Sequence, residues 1–130
     1  MSRTRQKRLK LRRLDEQFAI CRFHLGTTPL PWAHSAKFLS VTRTEDELSI
    51  VCPVADVPTK CKAEAPWIGY KLLGSFTFYE FLSSIVGPLA EADIPIFAIS
   101  TYDTDYVFVK EELADAAAEK LEQAGHRVVG

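Results

Sequence analysis

The chain has 130 residues, enough for one compact domain or two very small units sharing a core. Apolar residues make up 47% and charged residues 25%, as in a folded, water-soluble chain. Residues 1–13 hold seven Lys/Arg and no acid, leaving nine Lys/Arg against seventeen Asp/Glu in the body, so a tail of +7 precedes a body of −8.

These values exclude several classes. No apolar run approaches the ~20 residues of a membrane span. No apolar core follows the basic N-terminus, which argues against a secretory signal. The basic arm could meet a polynucleotide or an anionic surface, but the plainer reading of residues 1–13 is a disordered, solvated tail. The acidic body offers nucleic acid no basic groove. Cys21, Cys52 and Cys61 are odd in number and lack C-x-x-C spacing, against a disulfide framework or structural zinc. Cys21 and Cys52 lie in apolar, strand-like runs and are read as buried free thiols. A reducing cytoplasm fits this usage.

Along the chain, Gln17–His24 (QFAICRFH) is β-rich and is read as a strand. Pro29, Pro31 and neighbouring residues break regularity. FLSVTR (38–43) and ELSIVC (47–52) flank a polar turn and predict a hairpin. Residues 55–62 allow one helical turn at most. Trp67–Leu73 predicts another strand, closed by Gly74-Ser75.

Phe78, Phe81, Leu82, Ile85, Leu89 and Ala92 share one helical face. Thr77 with Glu80 three residues later is a capping-box pattern and sets the start of that helix. Gly87-Pro88 inside this face predicts a bend. A second hairpin follows, with strands over 94–100 and 105–110 and a polar tip at Thr101–Thr104. A helix over 111–124 ends at Gly125 as its C′ residue, and Arg127–Val129 closes the chain as a short strand. From Trp67 the order is β-α-β-β-α-β, the split βαβ arrangement.

SVTRTEDELSIVC (40–52) and AISTYDTDYVFVK (98–110) align at an offset of 58, pairing Glu45 with Asp103 and Glu47 with Asp105. Because any two hairpins share a period of two, either common origin or chance accounts for the match. A linker of thirteen residues (25–37) in the first copy implies a lost or shrunken helix.

The stretch FAISTYDTDYVFVKEE, preceded by PLAEADI, resembles the small tandem ACT-domain proteins, a family that includes the CASTOR arginine sensors and the regulatory part of aspartokinases. FLSVTRTEDELSIVCP resembles their first unit. The resemblance covers residues 16–129. It implies an α+β fold of two ferredoxin-like ACT units, antiparallel sheets with helices on one face, the N-terminal unit degenerate. The expected division is a tail over 1–13, a degenerate unit over 14–63 and an ACT domain over 64–130.

The resemblance also implies a site for a free amino acid. In the family motif STF-x-x-D the aspartate opening the second strand contacts the ligand, which matches Asp105, with Ser100, Thr101 and Tyr102 before it. Asp103 and Thr104 complete the tip. Leu73, Gly74, Ser75 and Phe76 match the loop that wraps the ligand. An ammonium needs acceptors, here Asp105, Asp103 and hairpin carbonyls; a carboxylate needs N–H donors, here at the start of the helix. Family loops resemble GPLDFSLTG, whereas this chain has the more aromatic GSFTFYEF. Glu80 is the acid nearest the position that reads a guanidinium in arginine sensors, and the capping box explains it more simply. Arginine specificity is therefore not implied, and an apolar or small ligand fits as well.

His24, His34 and His126 accompany no nucleophile motif, and no P-loop or H-E-x-x-H is present. The expectation is a non-enzyme with no cofactor and no metal. It would be a cytoplasmic amino-acid sensor, homodimeric because family sites lie between domains, acting on a regulated protein. The alternative is a protein-interaction module with a vestigial site.

Overall fold

A computed structural model describes residues 8–26, 36–58 and 61–130. The expectations for Pro29 to His34, and for most of the first copy's linker, lie outside these residues. The chain divides into two compact units: Glu16–Trp67, and Met1–Asp15 with Ile68–Gly130. Two long strands, β1 (Lys10–Phe23) and β4 (Lys62–Leu73), contribute to both.

In the unit Glu16–Trp67, β2 (Ser40–Arg43) and β3 (Leu48–Pro53) form the expected first hairpin. β3 also pairs antiparallel with β1, Phe18 opposite Pro53 and Phe23 opposite Leu48. Ala19, Cys21, Ile50 and Cys52 form its small core. Phe18 packs edge-on against Phe38 at 5.2 Å. A single 3-10 turn, Val54–Asp56, follows β3, and no α-helix occurs among the unit's described residues.

The other unit carries the larger core. Its elements after β4 are α1 (Phe78–Phe81), a π-helical turn (Leu82–Val86), α2 (Gly87–Glu91), β5 (Ile96–Ser100), β6 (Asp105–Lys110), α3 (Ala114–Gln123) and β7 (Arg127–Val129). β4 lies beside β6, and β6 beside β5. Phe97 faces Phe108 across that last pair with rings stacked at 4.4 Å. Ile68, Tyr70, Leu72, Phe81, Ile85, Leu89, Val107 and Leu121 fill the core under the helices. Burying each such side chain contributes about 1.5–3 kcal/mol.

The N-terminal segment departs from expectation. Residues 10–13, read as part of a disordered basic tail, are strand: β1 begins at Lys10 and pairs in parallel with β7, Leu11 opposite Val128. The reason is period-2 alternation inside the charge run. Leu9 and Leu11 are buried in the core while Arg8, Lys10 and Arg12 stay exposed. A count of charges hides that pattern. The closing strand therefore pairs with a strand from the start of the chain.

Helix ends follow local chemistry. Thr77 Oγ1 accepts from the Glu80 N–H at 3.1 Å and Glu80 Oε1 from the Thr77 N–H at 2.8 Å, completing the capping box. α3 ends on Gly125 at φ +94°, its N–H bonding the Glu122 carbonyl and that of His126 the Leu121 carbonyl.

Pro88 widens the helix to a π-turn, where the sequence indicated a bend. It has no N–H for the Ser84 carbonyl four residues back, and the Gly87 N–H bonds the Leu82 carbonyl five residues back. Ser84's carbonyl is instead taken by His126 Nε2 at 2.6 Å, while His126 Nδ1 accepts from the Leu9 N–H at 3.0 Å. The buried ring is neutral with its proton on Nε2. It ties helix, strand entry and closing segment together.

The repeat also needs a correction. Arg43 pairs with Leu48 and Ser100 with Asp105, so equivalent positions lie 57 residues apart. At 58 every side chain would change face. The 3-10 turns agree with 57: Pro53 (φ −57°, ψ 143°) precedes one and Lys110 (φ −58°, ψ 141°) the other.

Candidate functional site

The C-terminal hairpin tip is closed by threonines. The Thr101 N–H donates to the Thr104 carbonyl at 2.8 Å, and Thr101 Oγ1 accepts from the Thr104 N–H at 3.3 Å. Thr104 Oγ1 donates to the Leu72 carbonyl at 2.7 Å, pinning the tip to the end of β4. Leu72, 32 residues away in sequence, lies just before the strand-to-helix loop.

Gly74 in that loop has φ +100°, and a Cβ there would stand 2.9 Å from the Phe76 ring. Glycine thus serves both the backbone turn and the close approach of the ring.

Asp105, the first residue of β6, is 7% exposed. Its Oδ1 accepts from Ser100 Oγ at 2.6 Å, directly across the strand pair. A buried carboxylate with a short hydroxyl bond keeps further acceptor capacity, since an ionised carboxylate offers about four lone-pair positions.

Two shallow clefts flank the tip. One of about 260 Å³ is bordered by Phe76, Phe78, Ser100, Tyr102, Asp103 and Asp105. The other, about 310 Å³, is bordered by Lys71, Leu73, Gly74, Thr101, Asp103 and Tyr106. Thr101, Asp103 and Thr104 border both. Ser75 is exposed and borders neither. Asp103 and Tyr102 are exposed at the tip. Glu80 is engaged in the capping box.

Other titratable groups lie away from this tip. Burial holds the His126 pKa below its ordinary value, the Ser84 carbonyl opposing it. Within the unit Glu16–Trp67, Cys21, Cys52 and Cys61 converge from distant positions, which their spacing did not reveal. The neighbouring Cys52 thiol, with burial, raises the Cys21 pKa, the same neighbour contact lowers that of Cys52, and burial pushes Cys61 up to about 11. Among the described residues no group of three His, Cys, Asp or Glu could hold a metal ion, and no helix is long and apolar enough to cross a membrane.

A profile of the ACT domain matches residues 64–123, and a second profile, for an N-terminal domain, matches residues 16–60. The crystal structure of Atu0741 from Agobacterium tumefaciens is similar at 34% identity and TM-score 0.88, over 95% of this chain and 93% of that one. The chain belongs to the ACT-domain family.

Among curated proteins, this ACT protein is 28% identical over 88 residues to the human putative protein CASTOR3P, covering 54% of that protein's length. The fold is also similar to the ligand-free regulatory subunit of aspartate kinase from Thermus thermophilus, at 11% identity and TM-score 0.59 over 84% of this chain and 93% of that one. Family membership supports a regulatory role.

Proposed function

We propose that this ACT protein is a non-catalytic sensor that binds a free amino acid at its C-terminal hairpin, in a site completed by a second copy. The observation that carries the reading is Asp105: a carboxylate 93% buried, bonded to Ser100 and bordering a cleft. Burying a charge costs free energy unless a partner meets it. An α-ammonium supplies the opposite charge and three donors.

The ligand's carboxylate then needs N–H donors from the loop of residues 74–76 and the first turn of α1. The capping box already commits the N–H groups of Thr77 and Glu80, which narrows the choice to their neighbours. The cleft is shallow, so a facing surface has to complete the enclosure. A homodimer in which the loop 74–76 and the tip 101–105 of two subunits meet would provide one. Binding would stabilise that dimer by mass action and pass its state to a regulated protein in the cytoplasm.

A thermal-shift screen of the full chain against the twenty amino acids tests this. A ligand at ~100 times its dissociation constant adds about 2.7 kcal/mol, a shift of several degrees. Asp105→Ala should remove the shift and leave the oligomeric state unchanged. No shift with any amino acid at millimolar concentration would contradict the reading.

A second reading has one observation in its favour. Phe78 (53% exposed), Tyr79 (71%) and Leu82 (40%) form an exposed apolar patch on one helix. It suits a partner protein docking there with the ligand site vestigial.

A further inference from the structure

The borders of the cleft carry information on the ligand's side chain, given that the amino-acid reading holds. Asp105 is the cleft's buried carboxylate, and the proposed ammonium engages it. The acid in the adjoining helix, Glu80, has its Oε1 on the Thr77 N–H at 2.8 Å, and using it to read a cation would open the helix cap. Asp103 also borders the cleft but stands exposed at the tip, where an ion pair is screened by water. Apart from Asp103, Asp105 and the hydroxyls of Ser100, Thr101 and Thr104, the cleft is bordered by rings: half-buried Phe76, whose edge lies over Gly74, Phe78, which is 53% exposed, and the fully exposed Tyr102 at the tip.

We propose that the ligand is an α-amino acid with an uncharged aliphatic or aromatic side chain, packed against Phe76 and Phe78 with its ammonium at Asp105. Arginine and lysine bind worse. The competing attraction for a cation is its contact with a phenylalanine face, the weaker kind of ring for that purpose. At an open cleft that contact and a screened pair with Asp103 together give less than the apolar area a leucine or phenylalanine side chain removes from water. The difference amounts to roughly tenfold or more in affinity. Glycine and alanine lack the area to use the rings and fall behind as well.

Calorimetric titration of the full chain with leucine, phenylalanine, alanine, arginine and lysine reads this directly. The expected result is a dissociation constant for leucine or phenylalanine at least ~10-fold below those of arginine, lysine and alanine. Phe78→Ala should weaken the preferred ligand by ~10-fold, since it removes an exposed ring that borders the cleft. Glu80→Gln should leave the ratio of leucine to arginine within about twofold. Tightest binding of arginine or lysine, a selectivity that depends on Glu80, or tightest binding of alanine would each overturn the side-chain assignment while leaving the amino-acid reading intact. Absence of binding by every amino acid would overturn both.

Discussion

The two hairpins share a threonine-closed turn and differ in what they bury at the cross-strand pair next to it. In each, a threonine opens the tip: Thr44 Oγ1 accepts from the Asp46 and Glu47 N–H groups at 3.1 Å, and Thr101 Oγ1 from the Thr104 N–H at 3.3 Å. The closing backbone bonds match too, Thr44 N–H to Glu47 at 2.9 Å and Thr101 N–H to Thr104 at 2.8 Å. Beyond the turn, the first hairpin pairs an exposed Arg43 with Leu48, 1% exposed; the second pairs Ser100 with Asp105. Where one unit buries a hydrocarbon, the other buries a carboxylate. Polar residues at a hairpin tip are ordinary turn chemistry, and both copies have them. The buried acid is the departure that turn chemistry does not require. It is the residue on which the proposed ligand site rests.

Substitutions that exchange the two pairs would break the comparison most strongly. Leu48→Asp should destabilise the chain by roughly 3–5 kcal/mol, because the new carboxylate replaces a core leucine without a hydroxyl partner. A urea titration at pH 7 reads that loss, and a variant as stable as wild type would mean the two positions are equivalent. Asp105→Leu should preserve the fold. It should also weaken binding of leucine by roughly 30-fold or more, about 2–5 kcal/mol, in a calorimetric titration.

A smaller effect concerns the anchor beneath the second hairpin's unit. His126 has its pKa lowered by burial from 6.5, so the folded state binds fewer protons than the unfolded one. Its contribution is complete above the unfolded pKa and declines as pH falls below it toward the folded pKa. Acidification from pH 7 to 5 should lower stability through this site, and His126→Phe should flatten that slope in thermal melts. The smallest effect is expected at the turns themselves. Thr44→Ala and Thr101→Ala should each cost about 0.5–1.5 kcal/mol in chemical unfolding. Thr101→Ala alone should also lower ligand affinity.

Locally encoded features were legible in the sequence. The capping box at Thr77 and Glu80, the C′ glycine at 125 and the span of β6 all follow from residues a few positions apart. The features missed are nonlocal. β1 starting at Lys10 rests on Leu9 and Leu11 meeting a core built mainly from residues 68–121, and composition alone marks that segment as a tail. Pro88 signals a disturbed helix, but nothing in the sequence says that His126 will take the carbonyl it frees. An offset of 58 matches Glu45 and Glu47 with Asp103 and Asp105, whereas the closing threonines, Thr44 and Thr101, and with them Asp46 and Asp103, correspond at 57. At the site, motif resemblance singled out Asp105 and the loop 73–76; burial and the Ser100 bond came from the strand register.

The most direct measurement is a ¹H–¹⁵N spectrum of the full chain titrated with leucine and phenylalanine at millimolar concentration. Saturable shifts should appear at Ser100–Asp105 and in residues 74–78, with Arg43–Leu48 unmoved, and Asp105→Leu should abolish them. Shifts centred on the first hairpin, or none at either tip with any of the twenty amino acids, would contradict the assignment of function to the buried acid.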